Sequence, residues 1–116
     1  MLQLIDNYFY MSTILCFSIE TPAEHDFFTK AFGRHAQLFD TTLQETLEIE
    51  NPEEVEIITS FTSSEFTRET IDRFPNLKLI ATRSTGYDHI DLAYAAEKNI
   101  TVCNVPVYGA TTVAEH

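Results

Sequence analysis

The sequence predicts an α/β domain built as a doubly wound, five-stranded parallel sheet with helices on both faces. Three observations predict it. Short apolar runs rich in β-formers alternate with helical segments along the chain. Several helical segments carry their own start or stop signals. The stretches between successive strands are helical, as right-handed crossovers between parallel strands require.

Residues 13–17 form the first predicted strand. Thr21-Pro22-Ala23-Glu24 then opens a helix: Thr21 can cap it, Pro22 suits the first helical position, and Glu24 completes a capping box. Phe27, Phe28, Ala31 and Phe32 give this helix an apolar face, and Gly33 stops it. The second strand is expected over 36–39 and a short helix over 43–47, broken by Glu50-Asn51-Pro52. The run VEIITS, residues 55–60, is the third strand. A helix over 67–74 ends at Pro75. LKLIAT, residues 77–82, is the fourth strand. The next helix is expected over 88–98, with Asp88 as its cap and Asp91 in its first turn, where the helix dipole favours an acid. Residues 100–103 form the fifth strand, and 110–116 begin one more helix. Five strands in this alternation suit the flavodoxin-like order 2-1-3-4-5, in which ligands sit at the carboxyl ends of the strands. The loops at that end are 18–21, 61–64, 83–88 and 104–109.

A length of 116 residues suits one domain with one core. The domain proper is expected over 13–109, after an extension over 1–12. That extension is apolar, but Asp6 and Asn7 interrupt it and no Lys or Arg precedes it, so it reads as neither a signal peptide nor a membrane span. Met11 is a second candidate start; an added edge strand or helix is the alternative. The formal net charge of -11 repels phosphate backbones and anionic membrane surfaces, so neither nucleic acid nor membrane is an expected partner. Cys16 and Cys103 each lie in a strand-like run without metal-ligand spacing, and are expected as buried, reduced thiols. That favours a reducing, cytoplasmic compartment.

The loop Arg83-Ser84-Thr85-Gly86-Tyr87-Asp88 joins the fourth strand to a helix. Gly86 can take backbone angles closed to other residues and lets a ligand approach the main chain. Successive N–H groups beside a helix start make an anion site suited to a small carboxylate. The same residues also suit a plain tight turn. In the loop Asn104-Val105-Pro106-Val107-Tyr108-Gly109, Pro106 stiffens the strand exit; Tyr108 could present its ring and hydroxyl to a ligand or stand as a surface tyrosine.

The run LKLIATRSTGYDHIDLAYAAEKNITVCNVPVYGATTVAEH resembles the D-isomer-specific 2-hydroxyacid dehydrogenase family, in particular its D-lactate dehydrogenase-like members. The likeness is dense over 74–116, and the order of elements before it agrees. It implies a flavodoxin-like substrate domain split in sequence around an NAD-binding domain, with hydride passing between nicotinamide and C2 of a 2-oxo acid. By motif position, the resemblance implies that the backbone N–H groups of Thr85 and Gly86 hold the substrate carboxylate and that Tyr87 flanks them. It further implies that Tyr108 lines the pocket, that Phe61 lies over the substrate, and that Thr112 and Val113, in an interdomain helix starting over 110–116, touch the nicotinamide end of NAD.

The departures matter as much. No Gly-x-Gly-x-x-Gly fingerprint occurs in the sequence, so a pyrophosphate site is missing. The Arg, Glu and His that the resemblance implies as catalytic belong to a part of the family pattern this sequence does not contain. His116 does not match that His; His25 and His35 are expected to be solvated, and His89, just inside a helix, to help hold its loop. The expectation is therefore the leading part of a dehydrogenase, inactive alone, whose bare cleft-side edge promotes self-association. The alternatives are a free-standing flavodoxin-like binding module and a short protein that binds full-length subunits. A receiver domain fails, because Ser18, Ser60 and Asn104 stand near the places where it needs acids and a Lys. A flavin module fails too, because SIETPAE is not a phosphate loop.

Overall fold

A computed structural model describes residues 13–105. The extension over 1–12, the helix start over 110–116, and the site candidates Tyr108, Thr112 and Val113 lie outside the described residues. Within them, β1 (Ile14–Cys16), β2 (Ala36–Leu38), β3 (Ile57–Ser60), β4 (Leu79–Thr82) and β5 (Thr101–Cys103) form one sheet in the order β2-β1-β3-β4-β5. Every neighbouring pair is parallel. The register sets Ser60 beside Thr82 and Ala81 beside Cys103, so the ends of β3, β4 and β5 form one continuous rim.

Helix α1 (Pro22–Phe32) starts with the expected capping box: Thr21 Oγ1 accepts from the Glu24 N–H, and Glu24 Oε1 accepts from the Thr21 N–H. Gly33, at φ 56°, closes it. No residue of α1 is buried, and Phe27 is 66% exposed. The aromatic face predicted for this helix exists: Phe27 meets Phe28 edge-on, Phe28 meets Phe32, and Phe28 and Phe32 are half-buried.

Residues 43–45 form a turn and 46–47 are irregular, where a helix was expected. Thr42 and Glu45 satisfy each other's backbone N–H groups, Thr46 Oγ1 donates to the Thr42 carbonyl, and the Leu43 N–H is held by Ser64 Oγ. Five residues with these local partners do not propagate a helix. Leu43 is nevertheless fully buried, whereas Leu47 is 81% exposed.

Helix α2 (Arg68–Asp72) is capped by Thr67. Helix α3 (Leu92–Glu97) begins later than the sequence suggests, with Asp91 and not Asp88 as its cap. The reason is a short parallel bridge between Phe66 and Ile90: the Phe66 N–H donates to the His89 carbonyl, and the Asp91 N–H to the Phe66 carbonyl. This fixes Ile90 in the bridge after a turn through Asp88 and His89, so His89 precedes the helix instead of lying inside it.

The core packs Leu15, Phe17, Ile58 and Ile80 of the sheet region against Phe66, Ile71, Phe74, Tyr94 and Ala95. Tyr94 also donates to Asp72 and so ties α3 to α2. Cys16 is buried as expected, and burial pushes its thiol pKa up to about 11. Cys103 is exposed, contrary to expectation, because β5 is the sheet's outer strand and its side chains are poorly covered. Among the described residues, no helix is long and apolar enough to cross a membrane.

Candidate functional site

The β4 exit follows from sequence chemistry. Thr82 and Ser84 face inward and are buried, while Thr85, Gly86, Tyr87 and Asp88 stand exposed at the rim. Three successive carbonyls of this loop are held by donors from the protein. The Val105 N–H donates to the Ser84 carbonyl at 2.9 Å, Asn104 Nδ2 to the Thr85 carbonyl at 2.7 Å, and Ser84 Oγ to the Gly86 carbonyl at 2.8 Å. In a trans peptide the N–H points opposite to the carbonyl of the same unit, and the described residues contain no cis bond. The N–H groups of Thr85, Gly86 and Tyr87 are therefore each turned away from these anchors. None of the three donates a hydrogen bond within the described residues. A run of exposed, unpaired amides is chemically an anion receptor.

Gly86 corrects one expectation. Its φ lies outside the left-handed region. A Cβ built there would meet nothing within 4 Å. The glycine is not needed for the turn; what it leaves is open space on its Cβ side. Tyr87, 42% exposed, flanks the loop, and Phe61, 46% exposed, follows the tip of the adjacent β3. The structure thus brings Thr85, Gly86 and Tyr87 together at one strand tip, with Phe61 at the next one. The β5 exit, through Asn104 and Val105, lies on the same side.

Two features of the rim were missed in the sequence. Arg83 reaches across the strand ends: Nη2 donates to the carbonyls of Phe17 and Ser18 at 2.6 and 3.2 Å, and Nη1 to Thr59 Oγ1 at 3.0 Å. Its guanidinium also lies 5.4 Å from the Phe28 ring centroid. Burial works against its charge and pulls its pKa down, while Glu24 supports the charge. Arg83 is a clamp on β1 and β3, and the available signal was a single cation directly after an apolar strand. The second feature is Ser60 Oγ, fully buried at the end of β3 and without a partner among the described residues. Such a group costs about 1–3 kcal/mol.

The β1–α1 turn does not suit a dinucleotide pyrophosphate. Its helix-end amides are engaged by the capping box, and the carboxylate of Glu24 occupies the place a phosphate would need, with Glu20 beside it. His25 and His35 are exposed, as expected. Among the described residues, no group of three or more His, Cys, Asp or Glu side chains could hold a metal ion.

The fold matches solved dehydrogenases. A D-lactate dehydrogenase from Aquifex aeolicus, solved with NAD and lactic acid, is 34% identical and superposes with a TM-score of 0.75 over 89% of this chain and 31% of its own. An NAD-dependent formate dehydrogenase from Staphylococcus aureus, in complex with NAD, is 32% identical with a TM-score of 0.64, over 89% of this chain and 34% of its own. Formate dehydrogenase 1 of Saccharomyces cerevisiae is 43% identical over 63 residues, which are 54% of this chain and 17% of that protein. The chain thus spans about a third of the solved structures' length. The sequence profile of the D-isomer specific 2-hydroxyacid dehydrogenase catalytic domain matches residues 14–116, and the chain belongs to that family.

Proposed function

We propose that this chain supplies the substrate-binding rim of an NAD-dependent D-2-hydroxyacid dehydrogenase acting on a small, lactate-like acid. The supporting observation is the β4 tip, where three amides on exposed residues have no partner among the described residues and are turned away from the donors that hold their carbonyls. In this reading the Thr85 and Gly86 N–H groups hold the substrate carboxylate, Tyr87 flanks it, and Phe61 covers it from the neighbouring strand tip. Tyr108 lines the pocket, and Thr112 and Val113 meet the nicotinamide end of NAD. The division into an extension over 1–12, a substrate domain over 13–109 and an interdomain helix from 110 belongs to the same reading.

Among the described residues no pyrophosphate site is formed, and none matches the Arg, Glu and His that the family resemblance implies as catalytic. NAD supplies hydride chemistry when bound in such enzymes; what this chain's residues do is orient an acid. The chain is accordingly a cytoplasmic protein that is inactive alone and self-associates through exposed apolar surface. Two measurements test this. Pyruvate methyl line-broadening should grow with chain concentration, with a Kd in the millimolar range, about -4 kcal/mol. NADH absorbance should stay constant with pyruvate and the purified chain. Absent broadening would overturn the carboxylate site, and turnover proportional to chain concentration would overturn the inactivity.

A further inference from the structure

We propose that His89 is a positioning residue for the carboxylate-binding loop, acting through a one-way chain of hydrogen bonds that ends on the Gly86 carbonyl. This rests on the reading of the Thr85 and Gly86 amides as the carboxylate receptor; the chain of bonds fixes the peptide unit that directly follows them. His89 Nε2 lies 3.0 Å from Thr82 Oγ1, Thr82 Oγ1 lies 2.6 Å from Ser84 Oγ, and Ser84 Oγ donates to the Gly86 carbonyl at 2.8 Å. Thr82 is 3% exposed and Ser84 8%, so the chain runs through the interior.

Proton counting fixes its direction. A hydroxyl has one hydrogen to donate. Ser84 gives its hydrogen to Gly86, so Thr82 must donate to Ser84. Thr82 then has none left for the imidazole, and His89 Nε2 must carry a hydrogen and donate. The tautomer of His89 is therefore set by the loop it supports. The chain reaches the ligand side through covalent geometry. The Gly86 carbonyl and the Tyr87 N–H belong to one planar peptide unit. A donor on the carbonyl fixes the plane of that unit and polarises it, which strengthens the N–H on the opposite side; donors in series reinforce one another.

The ring is suited to this role. It is partly buried against the segment that carries Phe66, and burial holds its pKa down, against Asp88 and Glu65, which favour the charged form. Either protonation state that keeps Nε2–H maintains the chain; the Nδ1–H tautomer alone breaks it.

The test uses the 116-residue chain, His89→Gln and His89→Leu. The glutamine amide can donate from close to the Nε2 position, and leucine cannot donate. Long-range 1H–15N spectra of the unsubstituted chain at neutral pH should show the Nε2–H tautomer for His89. The Tyr87 amide resonance should move in His89→Leu and stay in place in His89→Gln. Pyruvate binding should weaken about tenfold in His89→Leu, the equivalent of one lost hydrogen bond, and stay within about twofold in His89→Gln. An Nδ1–H tautomer, or a His89→Leu protein whose Tyr87 amide and pyruvate affinity are unchanged, overturns the proposal. If the unsubstituted chain binds no pyruvate, the carboxylate reading fails; the tautomer and the Tyr87 amide then still decide whether the relay exists. Should His89→Leu fail to fold, the tautomer decides the relay.

Discussion

At Gly86 a methyl group would enter open space with no backbone strain. Gly86→Ala should therefore fold with unchanged stability, or gain about 0.4–1 kcal/mol from a less flexible unfolded chain. The cost should fall on the ligand, because in the proposed reading the acid sits against the Gly86 N–H and the added methyl is attached next to it. Urea unfolding together with pyruvate binding separates the two effects; lost stability with intact binding would refute this account of the glycine. The two thiols should behave oppositely. Cys103 is exposed, while Cys16 is buried with its pKa raised to about 11, so a thiol reagent should label Cys103 rapidly and Cys16 only on unfolding. Fast labelling of both would contradict the packing of β1. Burial lowers the pKa of His89, so the folded chain binds that proton less readily than the unfolded one. Its contribution is fully present above the ordinary imidazole pKa, about 6.5, and is lost as pH falls through the folded value. His89→Gln should flatten that step in a plot of urea midpoint against pH. At this scale the sequence showed that Thr85, Gly86 and Tyr87 sit on an exposed tip, because strand-to-helix turns carry local signals. It did not show the donor chain from His89, the Arg83 clamp or the exposure of Cys103. Each depends on which strand lies beside which, a property of tertiary contacts and not of any short window.

Helix ends carry the clearest local chemistry, and the elements bear this out unevenly. Thr21, Pro22 and Glu24 formed the capping box their spacing implied, and Gly33 ended the helix. Asp88 was expected as the cap with Asp91 in the first turn; the cap is Asp91, because Phe66, more than twenty residues away, bridges to Ile90 and delays the helix. Asp91→Ala should thus destabilise the chain by about 1 kcal/mol, and Asp88→Ala by much less. Equal losses in urea midpoint would show that the helix starts elsewhere. The segment 43–47 was misread as a helix because threonine hydroxyls and a carboxylate compete locally for the same backbone groups. Leu43 still reaches the core from it.

Across the whole molecule, strand order was the most legible feature, because parallel strands joined by right-handed crossovers leave few arrangements. Less legible was how unevenly α1 would be covered: Phe28 and Phe32 are half-buried, while Phe27 is 66% exposed. With Phe27 and Leu47 both bare, the chain should self-associate at high concentration. Sedimentation equilibrium should return a mass rising with concentration, and a monomer throughout would contradict it. The central claim is that the β4 tip grips a small organic acid with main-chain amides. Its most direct test is an amide 1H–15N titration of the chain with pyruvate. Saturating shifts confined to Thr85, Gly86, Tyr87 and their immediate neighbours are the predicted result; no response at these amides, or shifts centred on another part of the chain, would contradict it.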